Sequence, residues 1–128
     1  MKKTFPVLLF IGLFLISCSK NASTGLEADI TNPLIKVVYP RDIPVLPAGF
    51  PLCIKVQVTD NRSLANVWVE ITDGHGYRKD YPVNGKSIEI TEKYIAPAGV
   101  TGDLTANFFA TDESGNTSTH AVKFVMDN

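Results

Sequence analysis

The chain is poor in the residues that most small-protein chemistries need. It has two cysteines and two histidines in 128 residues, too few for a zinc module or a disulfide-dense scaffold. No run of lysine or arginine stands out against a formal net charge of −1, which argues against nucleic acid as a partner. The signatures G-x-S-x-G, H-E-x-x-H, G-x-x-x-x-G-K-[ST] and C-x-x-C are all missing. A nucleophilic triad would have to recruit His75 or His120 as its base. His75 falls in a glycine-flanked turn and His120 near the start of the last predicted strand, so no catalytic residue is expected. The carboxylate pairs Asp112-Glu113 and Glu89/Glu92 read as turn and solvated-strand residues. No segment carries a sustained apolar stripe of helical period, which removes an α-helical domain.

What is present is unevenly distributed. Residues 1–17 hold 11 of the hydrophobic side chains, and the remaining 111 residues hold 46. Met1-Lys2-Lys3 is a short basic start, Phe5 to Ile16 is apolar, and Ser17 is small, the pattern of a secretory signal peptide. The apolar stretch is shorter than the roughly 20 residues that a membrane-spanning helix needs. Leu15-Ile16-Ser17-Cys18 resembles the lipobox of bacterial lipoproteins, in which the chain is cut before the cysteine and its thiol is acylated. That resemblance makes Cys18 the lipidated N-terminus and the membrane the first partner, since two or three acyl chains hold a protein there almost permanently. Cys53 is then a lone thiol. By resemblance to the sorting rules of Gram-negative lipoproteins, Ser19 rather than Asp after the cysteine implies the outer membrane, with the domain facing the periplasm or the cell surface. Without residues 1–17 the chain carries 10 basic and 13 acidic side chains, a net of −3.

Residues 18–32 read as the lipidated cysteine and a flexible tether spanning roughly 20 Å. Residues 33–128 form the predicted domain, large enough for its own core. Its dominant signal is a period of two. Leu52, Ile54, Val56 and Val58 alternate with polar neighbours, as do Val67, Val69 and Ile71. Leu104, Ala106, Phe108 and Ala110 repeat the pattern, and Val122, Phe124 and Met126 close it. Leu34–Tyr39, Tyr77–Val83 and Ser87–Thr91 complete about seven strands. Asp73-Gly74-His75-Gly76, Asn84-Gly85 and Ser114-Gly115-Asn116 are turn sequences. Pro40, Pro44, Pro47 and Pro51 fit an interrupted edge strand. Short strands at this spacing predict an all-β, immunoglobulin-like antiparallel sandwich, with a partly closed barrel as the competing arrangement.

The stretch Ile95-Ala96-Pro97-Ala98-Gly99-Val100-Thr101-Gly102-Asp103-Leu104, with Ala110-Thr111-Asp112-Glu113-Ser114-Gly115-Asn116-Thr117 after it, resembles the last third of small Bacteroidetes lipoproteins. These carry one immunoglobulin-like domain of unknown function. Leu104 stands where that family prefers Tyr, and the histidines often seen near its first strands are missing here, so no role of theirs transfers. The resemblance implies the sandwich and the envelope address, and no activity.

Two candidate sites follow from the residues. Asp60 and Asn61 end the second predicted strand, while Asp112, Glu113 and Asn116 follow the sixth at the same end of a sandwich. Five oxygen-bearing side chains there would suit calcium, which takes several carboxylate and carbonyl oxygens; turn chemistry alone also accounts for them. The second candidate is a surface. With Val67, Val69 and Ile71 in the core, Trp68 faces outward, Phe109 joins it from the sixth strand, and Tyr77 or Tyr81 extends the face. Exposed aromatics on one sheet suggest a protein or glycan partner. The expected function is therefore a non-catalytic, membrane-anchored interaction module. The alternatives are a calcium-stabilised structural or adhesion module and a small periplasmic enzyme, the last requiring His75 or His120 in a pocket beside a carboxylate.

Overall fold

The structure is a computed structural model that describes residues 27–128; the expected signal peptide and Cys18 lie outside them. Eight strands follow in order: β1 (Leu34–Tyr39), β2 (Val45–Pro47), β3 (Leu52–Thr59), β4 (Leu64–Ile71), β5 (Tyr77–Tyr81), β6 (Ser87–Tyr94), β7 (Gly102–Asp112) and β8 (Thr117–Asp127). One sheet has the order β1-β3-β6, and the other β2-β8-β7-β4-β5. This strand order, with consecutive strands shared between two facing sheets, is that of an immunoglobulin-like sandwich. Each sheet turns its apolar parity inward. Ile54, Val56 and Val58 meet Val67, Val69, Ala106, Phe108 and Ala110, all essentially without solvent contact. β-branched and aromatic side chains suit such pleated, one-sided surfaces. Cys53 stays on the outward parity of β3, exposed.

Two details depart from expectation. There are eight strands rather than seven, because the proline-rich stretch makes a strand of its own. Pro40 has no N–H to continue pairing with β3, and the chain leaves the first sheet at that point. It rejoins the second sheet as β2, which runs parallel to β8, so this sheet is mixed rather than purely antiparallel. Val125 donates its N–H to the Pro44 carbonyl at 2.9 Å, guiding the switch.

The strand registers give the sandwich two distinct ends. Leu34 pairs with Thr59 and Thr59 with Ser87, so β1 begins at the end that holds the β3–β4 and β7–β8 turns. This is the incoming end. The far end carries the β2–β3, β4–β5 and β6–β7 connections and the chain terminus. Residues 27–32, expected as tether, and Pro33 after them are bonded to the incoming end. Arg62 donates to the Glu27 carbonyl, Asn116 to the Asp29 carbonyl and Ser118 to the Pro33 carbonyl.

Candidate functional site

At the incoming end, carboxylate oxygens of Asp29, Asp60 and Asp112 all lie within 4.8 Å of one another. Three separate stretches bring them there. Asp112 closes β7 and is buried. It accepts the Ser114 and Asn116 N–H groups at 2.8 Å each, and the Asn116 amide at 2.7 Å. Burial raises its pKa, but these bonds outweigh that and hold it below the usual carboxylate range. Asp60 follows β3 and accepts the Arg62 N–H at 2.8 Å through one oxygen only. Asp29 comes from the incoming segment. Its first oxygen accepts the Thr31 N–H at 3.1 Å and the Asn61 amide at 3.0 Å. The second oxygen of Asp29 and the first of Asp60 are buried and accept no hydrogen bond.

This is an unusual electrostatic arrangement. Two unit charges at that separation repel by about 3–4 kcal/mol at an effective dielectric near 20. Among the described residues, the one cation within ion-pair reach is Arg62, whose Nε stands 4.0 Å from Asp29 Oδ2.

Of the expected calcium ligands, Asp60 and Asp112 do converge. Asn61 and Asn116 join them, but as donors that brace the carboxylates through their amide nitrogens. Glu113 does not take part: its side chain is exposed, and its backbone N–H instead donates to the Ser63 carbonyl at 3.0 Å. Sequence reasoning missed Asp29 altogether. Its contact with Asn116 spans 87 positions, and nothing in a small, polar segment marks one aspartate for burial.

The aromatic surface is also revised. Trp68 and Phe109 are cross-strand partners on the outer face of the five-stranded sheet, stacked 5.0 Å apart at 9°. That spacing is close to the separation of neighbouring strands, so the rings stand side by side rather than lying flat. The Arg78 guanidinium lies 5.0 Å from the Trp68 centroid, and the indole N–H donates to Glu70 at 3.0 Å. The Trp68 ring is thus taken by neighbours, with Phe109 stacked on it and Arg78 over it, and both aromatic residues are half-buried.

Tyr77 and Tyr81 are not on this face. They pair with Ile71 and Val67 and share their inward parity. Both hydroxyls donate to Glu92 of β6, and Lys79 Nζ approaches it at 3.0 Å. Glu92 is only 1% exposed, correcting its reading as a solvated residue. Burial first, and Glu92 second, push both tyrosine pKa values well above the ordinary 10. A polar clamp therefore closes the β5–β6 side of the sandwich. Beneath it, Tyr94 donates to buried Asp73 at 2.8 Å, which also accepts the His75 N–H at 2.8 Å.

Among the described residues, neither histidine ring is hydrogen-bonded to a carboxylate. His75 folds back on the Asp73 carbonyl at 3.0 Å. His120 lines an open cleft of about 710 Å³ with Val37, Arg41, Asp42, Ile43 and Lys123, and among the described residues no hydrogen bond joins it to Asp42.

No protein-family model and no curated protein matches this chain. Among solved structures, an engineered protein is similar over 76% of this chain at 17% identity, with a TM-score of 0.48. The β-glucosidase from Listeria innocua in complex with glucose is similar over 73% at 12% identity, with a TM-score of 0.40. This chain spans 20% of the first and 16% of the second. The fold assignment rests on the strand order and registers above.

Proposed function

We propose that this chain is a non-catalytic envelope lipoprotein of the outer membrane, anchored through acyl chains on Cys18, whose sandwich is an interaction module for a protein partner. The observation that carries the reading is the separation of its two ends. The segment that follows the anchor docks at the incoming end. The far end presents Phe50 and Ile95, 59% and 56% exposed, on the β2–β3 and β6–β7 connections. Val45, toward the same end, is exposed as well, while Ile30 and Leu34 are exposed beside the docked segment at the incoming end. Large apolar side chains held out in water at the end away from a tether favour a contact made there. The upright, covered Trp68–Phe109 pair favours this end over the aromatic face, and a protein over a glycan, which would need an open ring face to stack on.

A photoreactive amino acid at position 50 or 95 of the full chain, irradiated in the native envelope, tests the reading. One discrete protein adduct is expected from both positions, and none from position 119 on the outer sheet face. Equal labelling from all three positions, or none from 50 and 95, overturns it. Cys18→Ser should separately move the chain from the membrane to the soluble fraction.

A further inference from the structure

We propose that Asp29, Asp60 and Asp112 bind one calcium ion, and that this ion fastens the incoming segment to the sandwich. The proposal does not depend on the interaction reading, because it concerns the opposite end of the molecule. The acidic grouping alone would not carry it. The second observation is that the Asp29 side chain is 1% exposed, while its Oδ2 accepts no hydrogen bond. Asp60 Oδ1 is buried and unpaired in the same way. Buried carboxylate oxygens are ordinarily satisfied. Here two are left over and belong to a set of carboxylates within 4.8 Å of one another. Arg62 does not fill the gap: its Nη2 is engaged with the Glu27 carbonyl at 2.6 Å, and its Nε remains 4.0 Å from Asp29 Oδ2.

The chemistry of the donors selects the ion. All three are hard carboxylate oxygens, with no cysteine or histidine in the grouping, which disfavours zinc and copper. Calcium, with bonds of about 2.3–2.6 Å and a flexible shell of six to eight oxygens, accommodates carboxylates brought in from three separate stretches more readily than magnesium, whose bonds of about 2.0–2.1 Å demand a near-ideal octahedron. Asn61 and Asn116 serve as outer supports that orient Asp29 and Asp112. Water completes the shell of six to eight oxygens.

Titrating the full chain in detergent with calcium chloride, against magnesium chloride and EDTA, tests this by melting temperature and calorimetry. With an affinity in the range of extracellular calcium modules, about 0.1–1 mM, 10 mM calcium should raise Tm by roughly 5–15 °C. Cleavage after Glu27 by a glutamate-specific protease should slow at least about tenfold with calcium bound. Asp29→Asn, which lies outside every strand, should keep the fold and lose both effects. No saturable heat and no Tm shift in the unaltered chain overturns the site. An equal response to magnesium overturns the choice of ion, and undiminished calcium binding by Asp29→Asn overturns the role of the incoming segment.

Discussion

Glu92 offers the sharpest quantitative test of how this sandwich is held closed. Its carboxylate is taken out of water between the sheets and accepts both the Tyr77 and Tyr81 hydroxyls, with Lys79 Nζ at 3.0 Å. Glu92→Ala leaves two hydroxyls and one ammonium without their partner and opens a void. Removing one member of a buried, paired charge costs about 3–5 kcal/mol, a fifth or more of the ~5–15 kcal/mol that stabilises a typical domain. Glu92→Gln keeps the shape and hydrogen-bonding capacity but loses the charge-assisted part, so about 1–2 kcal/mol is expected. Glu92→Leu with Tyr77→Phe and Tyr81→Phe removes the polar set together. Most of the loss should then return, because nothing buried is left unsatisfied and Lys79 can turn to solvent. Trp68 is the single tryptophan, so urea unfolding can be followed by its fluorescence. With m near 1.5 kcal/mol per M, Glu92→Ala should lower the midpoint by about 2–3 M. A shift below about 0.5 M, or a triple variant weaker than Glu92→Ala, would refute the clamp.

Two further expectations follow from other parts of the fold. Trp68→Ala should cost about 1–2.5 kcal/mol, since it removes a stacked pair and half-buried area; a loss above about 4 kcal/mol in urea unfolding would mean that Trp68 behaves as a core residue. Asp73 has its pKa held low: burial opposes this, but the His75 N–H and the Tyr94 hydroxyl more than offset it. Its folded pKa is below its unfolded one, so its contribution is complete above about pH 4 and fades as pH falls through the folded value. Asp73→Asn should therefore flatten the acid limb of stability against pH, and an unchanged limb would contradict the assignment.

The sequence was legible where one parity is wholly apolar. In β3, and in β7 as far as Ala110, the alternation names every inward side chain, because nothing polar interrupts it. It failed where a charged or amphipathic residue faces inward. Ile88, Ile90, Glu92 and Tyr94 share one parity, and the glutamate cuts the apparent strand short at Thr91. In β5, Tyr77 and Tyr81 are amphipathic, so their side of the sheet depends on the β4–β5 register, where a shift of one residue exchanges the faces. The Asp60–Asp112 meeting was readable from topology, since the two turns share an end. Asp29 was not, because its burial depends on contacts with distant turns. The turn glycines were legible too, Gly115 adopting φ of +90°, while Asn116 beside it does not enter the left-handed region.

The direction of β1 has a mechanical consequence. Its first residue pairs at the incoming end and its last opposite Lys55, midway along β3, so the strand lies along the line between the incoming end and the exposed apolar tip. Hydrogen bonds between antiparallel strands run perpendicular to the chain. A tug on the N-terminal segment against a load at the tip therefore shears the β1–β3 bonds together instead of peeling them one at a time. A chain that leaves its sheet in that direction is built to bear tension.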